Sequence, residues 1–186
     1  MGVELQKSSY ACAVRNVEIN GLLDRIDIFN TDVCESGALK AEIIERNKKK
    51  GILRDGHVDV VVSNPPYIQV ADGMRSDNLE KMIARHELKA TLGDFVNCAA
   101  MILKPKGDFY MDHRLTRMAD IFCTLREHSL EPKELRPISS YKETAPNIML
   151  IHAVKNGGNG LKILKNMCIY KEKGIYSDEI IDIYER

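Results

Sequence analysis

The sequence predicts an α/β fold, a three-layer sandwich with a mostly parallel sheet and a C-terminal antiparallel hairpin. Two observations predict it. Short runs rich in β-branched residues alternate with longer stretches of helical spacing, and connections of that length join parallel strands. The strand-like runs 134–138 and 148–154 have no helix between them, which predicts an antiparallel pair at one end of the sheet. At 186 residues one domain with its own core is expected, residues 156–186 forming a C-terminal extension.

Taken in order, residues 2–5 open as a stub of strand. Ser8 or Ser9 can cap a helix over 10–20, because a hydroxyl oxygen accepts from the free amides of the first turn. Gly21 follows where a left-handed residue closes a helix. Residues 26–30 alternate as a strand, and Thr31-Asp32 turn the chain. A helix over 38–50 carries Leu39, Ile43 and Ile44 on one side. Val58, Val60, Val61 and Val62 form an almost unbroken apolar run, which suits a strand buried on both faces. Pro65 and Pro66 cannot donate to a ladder and end it. A helical region over 78–103 stops at Pro105 and Gly107, and a strand over 107–112 precedes a helix over 116–128. After the hairpin, a Gly-rich stretch at 156–160 leads to a strand-like segment, 168–170, and a helix over 178–184.

Composition excludes several classes of function. Basic and acidic residues balance at 27 each, so no global field marks a nucleic-acid or membrane partner. The basic clusters at 46–50, at Lys104 with Lys106 and over 162–173 read as solvated faces. Five widely spaced cysteines argue against a zinc site or a disulfide framework, and fit reduced thiols in a cytosolic protein. No apolar run approaches the roughly 18 residues of a membrane span. A cytoplasmic protein without a membrane partner or metal is expected.

The chemistry gathers at predicted strand ends. Asp32, Asn64 and Asp112-His113-Arg114 all fall at carboxyl ends of strands, where open α/β sheets bind ligands. Asn64 offers a side-chain carbonyl, and Pro65 a backbone carbonyl held in a fixed direction. Two acceptors aimed at one point suit an NH₂ group whose lone pair is delocalised into a π system. Accepting both N–H bonds helps localise that pair toward an electrophile. Tyr67 adds a flat face, worth roughly 1–3 kcal/mol when a base stacks on it.

Asn64-Pro65-Pro66-Tyr67 resembles the (N/D)PPY motif of S-adenosylmethionine-dependent amino methyltransferases. Further segments resemble the bacterial tRNA1(Val) adenine N6-methyltransferase family. They are Arg85-His86-Glu87 with Thr91-Leu92-Gly93-Asp94, His113-Arg114, Glu131-Pro132-Lys133, Lys142-Glu143 with 145–150, and the tail 157–181. The resemblance implies a Rossmann-like class I fold, tRNA as substrate and S-adenosylmethionine as cofactor. Asn64, Pro65, Pro66 and Tyr67 would form the catalytic motif. Glu4 would take the ribose hydroxyls, Asp32 would accept from the adenine amine with Val33 stacked nearby, and Leu5 and Asn64 would touch the cofactor as well. Substrate contacts would fall to Arg85, His86, Glu87, His113, Arg114 and Lys142. The triplet at 85–87 covers most of the way round a helix, so its members cannot all face one pocket.

The chain departs from that family at its start. The first family strand and its D-x-G-x-G turn, whose backbone approaches the cofactor's methionine part, have no counterpart, and Met1-Gly2-Val3-Glu4 already matches the second strand. The sequence therefore reads as an N-terminally truncated methyltransferase domain, with unpaired strand edges that invite self-association. Two other readings stay open: a glutamine N5-methyltransferase of peptide release factors, which also carries NPPY, and a non-catalytic fragment that binds RNA. Titration calorimetry on this 186-residue chain is expected to detect no micromolar binding of S-adenosylmethionine. A micromolar isotherm would overturn that expectation.

Overall fold

The computed structural model describes residues 1–51, 57–67 and 90–185. Strand β1 (Gly2–Val3) pairs in parallel with β2 (Ile28–Phe29), and helix α1 (Lys7–Ile19) makes the crossover. The expected serine cap is not used. Gln6 starts the helix without a side-chain bond, so Ser8 and Ser9 fall inside the first turn. Gly21 has φ 65°, and its amide donates to the Glu18 carbonyl, as the closing position requires. A 3-10 turn (Val33–Glu35) leads into α2 (Ser36–Lys49), which buries Leu39 and Ile43.

Strand β3 (Val58–Ser63) is followed by α3 (Leu92–Ile102) and then directly by β4 (Leu103–Arg114). Thr91 caps α3, accepting from the Asp94 amide while the Asp94 carboxylate accepts from the Thr91 amide. Pro105 and Gly107, expected as breakers between elements, lie within β4 instead, at a bulge opposite Val58 and Val60. Gly107 is needed there, because a Cβ would come within 2.9 Å of the Lys104 carbonyl and 3.0 Å of the Asp59 carbonyl. The chain continues through a 3-10 turn (Leu115–Arg117), α4 (Met118–Glu127), β5 (Leu130–Ser139) and β6 (Ile148–Lys155). The extension holds β7 (Lys162–Ile163), β8 (Met167–Cys168), β9 (Tyr170–Glu172), β10 (Ile175–Tyr176) and α5 (Asp178–Tyr184).

The main sheet has the order β3-β4-β6-β5-β7, with β8 also on β5. Strands β3, β4, β5, β7 and β8 run the same way, and β6 opposes both its neighbours. The antiparallel pair β5–β6 forms as expected, but not at the end of the sheet. Strand β6 inserts between β4 and β5, pairing from Asp108↔Val154 to Arg114↔Ile148 on one side and from Leu130↔Lys155 to Ile138↔Ile148 on the other. A central strand can form ladder bonds along both edges, which an edge strand cannot.

Helices α3 and α4 cover one face of this sheet. Phe109, Met111, Ile121, Leu125, Met149 and Ile151 are buried there, each at 2% exposure or less. A second cluster, Phe29, Leu39, Ile43, Cys98 and Ile102, joins α2 and α3 to β2. The opposite face corrects the expectation for β3. Val60 is 50% exposed and Val62 76%, with Tyr110 and Leu150 exposed on the neighbouring strands. The apolar run is therefore covered on one side alone among the described residues.

The edge of β3 away from β4 pairs with no described strand, and β1–β2 stands as a separate two-stranded sheet. Between them lies a cleft of about 290 Å³, lined by Gly2 and Val3 on one side and by Val58 and Val60 to Ser63 on the other, with Phe29 and Phe95 in its wall. Unpaired edges of this kind are templates for pairing with another chain. The protein is expected to gain mass with concentration in light scattering. The double substitution Val60→Lys and Val62→Lys should suppress that gain with little change in thermal midpoint, since both positions are exposed. A concentration-independent monomer would refute the idea.

Candidate active site

Parallel alignment brings the carboxyl ends of β3, β4 and β5 to one edge of the sheet. The pairing Ser63↔Met111 sets the residues just beyond, Asn64 and Asp112, side by side. Within the motif, Pro65 is fully buried while Asn64 is exposed. The first proline thus pins the turn and leaves the amide outside. The Asn64 side chain makes no hydrogen bond among the described residues, so its carbonyl is free to accept.

Tyr67 folds back over the end of β4. Its hydroxyl donates to Asp112 Oδ2. Its ring meets that of His113 at 5.0 Å between centroids, tilted by 59°. The Arg114 guanidinium lies 5.7 Å from the Tyr67 ring centre, within cation–π range. Burial, then the bond to Asp112, pushes the Tyr67 phenol up to about 12. The hydroxyl therefore remains a donor at neutral pH and the ring is held in one orientation.

His113 is placed differently from an anion-binding residue. It is fully buried on the helix-covered side, and its Nδ1 accepts from the Arg114 amide at 2.8 Å. That bond puts the proton on Nε2, which has no hydrogen-bond partner. Desolvation, followed by the charge of Arg117, holds the imidazole below its usual pKa, so the ring stays neutral. Its role in the fold is to support Tyr67 from below. Arg114 is the exposed member of the pair and the one able to meet an anion.

Glu4 and Asp32 stand just past the ends of β1 and β2. Glu4 Oε1 accepts from the Gln6 amide at 2.8 Å, and Asp32 Oδ1 from the Cys34 amide at 2.9 Å. Glu4 keeps a second oxygen for another donor, and Asp32 also faces the Cys34 thiol, whose pKa is pushed up to about 11 by burial and then by its bond to Asp32. The Asn30 amide ties the two strand ends together, donating to the carbonyls of Glu4 at 2.9 Å and Leu5 at 3.0 Å. Leu5 is 41% exposed, and Val33 packs against the Phe29 cluster. Lys142, in the β5–β6 connection, is exposed and has no ion pair among the described residues. Arg85, His86 and Glu87 lie outside the described residues. Asp112 had drawn notice as a strand-end acid, but its grip on Tyr67 appears only in three dimensions, because β3–β4 register joins residues 45 positions apart. Among the described residues no group of three or more His, Cys, Asp or Glu could hold a metal ion.

No protein-family model matches the chain, and no curated protein matches it in sequence. Solved structures do. One is described as a predicted O-methyltransferase from Agrobacterium tumefaciens, with TM-score 0.68 and 18% identity over 98% of this chain and 75% of that one. Another is described as the modification subunit of a type I restriction enzyme from Vibrio vulnificus, with TM-score 0.55 and 14% identity. That match covers 99% of this chain but spans only 39% of the other. The fold is that of the Rossmann-like methyltransferases. At such identities the likeness concerns backbone architecture. The NPPY turn and the β4 end share the carboxyl edge of the main sheet, and the two acidic residues follow the carboxyl ends of the separate β1–β2 pair.

The depressed His113 pKa has a consequence for stability. The unfolded imidazole titrates near 6.5, so below that pH the unfolded chain binds the proton that the folded site refuses. The contribution of neutral His113 is complete above about pH 6.5 and is lost as pH falls toward the lower folded value. Denaturant unfolding of the wild type and of His113→Gln should differ most near neutral pH and converge under acid conditions. A difference independent of pH would count against a buried neutral ring.

Proposed function

We propose that the chain carries the amine-binding half of an S-adenosylmethionine-dependent methyltransferase acting on adenine N6 in tRNA, beside the anticodon. The observation that supports this best is the exposed Asn64 carboxamide, unpaired among the described residues, next to a Tyr67 ring fixed by Asp112. An adenine amine has two N–H groups, and the Asn64 side-chain carbonyl and Pro65 backbone carbonyl can accept one each. Tyr67 stacks on the base, which must leave its helix to reach the motif. Arg114 lies over the Tyr67 ring, and its guanidinium can meet the phosphate of a nucleotide whose base packs at that ring.

The acidic strand ends fit the cofactor's polar groups. Glu4 has an oxygen left for the ribose hydroxyls and the Asp32 carboxylate would accept from the adenine amine, while Leu5 and Val33 flank them with apolar surface. S-adenosylmethionine supplies an activated methyl group, so the protein's part is to position the amine rather than to provide acid or base.

Asn64→Ala removes one of two acceptors from the reacting amine. Methyl incorporation into tRNA, assayed at millimolar cofactor, is expected to fall at least a hundredfold, since comparable losses follow removal of one aimed polar group in other enzymes. Incorporation into peptide release factor but not tRNA would move the reading to the glutamine amide. Absence of incorporation into both, with tRNA still bound, would leave a non-catalytic RNA-binding chain.

A further inference from the structure

Three tyrosines form a ladder at the same sheet edge as the NPPY turn. Tyr141 and Tyr170 have ring centroids 5.7 Å apart with planes 36° from parallel, and Tyr170 and Tyr176 are stacked at 5.2 Å and 17°. The second contact follows from pairing, because Tyr176 lies opposite Tyr170 across the β9–β10 hairpin. Gly174, with φ 79°, makes the hairpin's tight turn. The hairpin is fastened to the end of β5. Ser139↔Cys168 pairs β5 with β8, the Tyr170 amide donates to the Ser140 carbonyl at 2.9 Å, and Ser177 Oγ donates to the Cys168 carbonyl at 2.6 Å. Its exposed residues include Ile175 at 46% and Tyr176 at 50%, beside the charged Lys171, Glu172 and Lys173.

Position gives the ladder its meaning. Strand β5 runs parallel to β3 and β4, so its carboxyl end and Tyr141 share an edge with Asn64 and Arg114. The order β3-β4-β6-β5 sets that end three strand spacings from the motif, roughly 14 Å. A few nucleotides of extended chain cover such a gap. Charge around the ladder is nearly balanced. Lys171 pairs with Asp178 at 3.1 Å and Arg136 with Glu179, while Lys142 and Lys173 are offset by Glu143 and Glu172. Attraction there must come from ring faces rather than from field.

We propose that the Tyr141-Tyr170-Tyr176 ladder is a stacking platform for unpaired bases of the RNA substrate, with Tyr176 as its open end. This rests on the tRNA reading for its biological setting and extends it by assigning a second contact on the RNA. Every base has a π face, so the platform favours single strands over duplex with little sequence preference, and its contribution changes little with salt.

The test is binding of a short fluorescent oligoadenylate to the full chain, followed by anisotropy. Tyr176→Ala is expected to weaken binding about tenfold, whereas Tyr176→Phe keeps it. Tyr176→Leu separates stacking from packing: it should retain the wild-type thermal midpoint and still bind as weakly as the alanine variant. Equal affinity in all four proteins, or wild-type affinity in the leucine variant, overturns the proposal. Methyl transfer is scored separately. If no substrate is methylated and binding still depends on Tyr176, the platform stands and the methyltransferase reading falls. If tRNA is methylated and Tyr176→Ala leaves both KM and oligoadenylate binding unchanged, the reverse holds.

Discussion

Parallel pairing between β3 and β4 fixes the geometry on which the candidate site depends. Its register, from Val60↔Asp108 to Ser63↔Met111, sends both strands off the same edge in step. The two prolines then stop β3 while β4 continues to Arg114, so the NPPY turn folds over a strand that extends beyond it. A shift of one residue would turn Met111 and His113 away from the helices and put Asp112 into the core. The buried Phe109, Met111 and Ile151 hold that register from the helix side. Core packing and site geometry are thus the same constraint seen from opposite ends of the strands.

Tyr67 shows how local groups refine what the register provides. Asp112, His113 and Arg114 are consecutive, and an extended strand points neighbours to opposite faces. At the strand's end Tyr67 can meet all three, with its hydroxyl at the carboxylate, its ring at the imidazole and its face under the guanidinium. The cost is one buried imidazole Nε2–H without a partner. Such a group is tolerated where the surrounding packing determines the ring's place, and sites are where such local costs concentrate.

One-sided cover of the sheet is the other organising fact. Helices α3 and α4 supply apolar partners for one face, and the valines of β3 on the other face remain in contact with solvent. The cleft between β1 and β3 continues the apolar wall of the Phe29 cluster, so the two sheets approach without joining. The cleft is lined by Gly2 and Val3 of β1 and by Val62 and Ser63 of β3, so it runs between two separate sheets rather than along one continuous sheet. The C-terminal extension is more completely anchored. It reaches β5 through β7 and β8, and Ile138, Met167 and Ile180 pack together beneath it.

The α/β class, the strand-terminating prolines, the Gly21 closure and the α5 helix were legible because each depends on local physics: periodicity, a missing N–H or a positive φ. The motif's acceptor groups were legible for the same reason, since Asn64 and Pro65 carry them wherever they sit. What a strand faces, and what pairs with it, is not local. The valine run looked buried twice over, yet only neighbouring elements decide burial, and they cover one side. His113 and Arg114 looked alike as polar residues at a strand end, but alternation along β4 buries one and exposes the other. Asp112 reaches Tyr67, and Tyr141 reaches Tyr170, only through strand pairing across long stretches of chain. Sequence by itself determined which groups are available; tertiary structure decided which of them meet, because pairing partners and buried faces are set by contacts between distant parts of the chain.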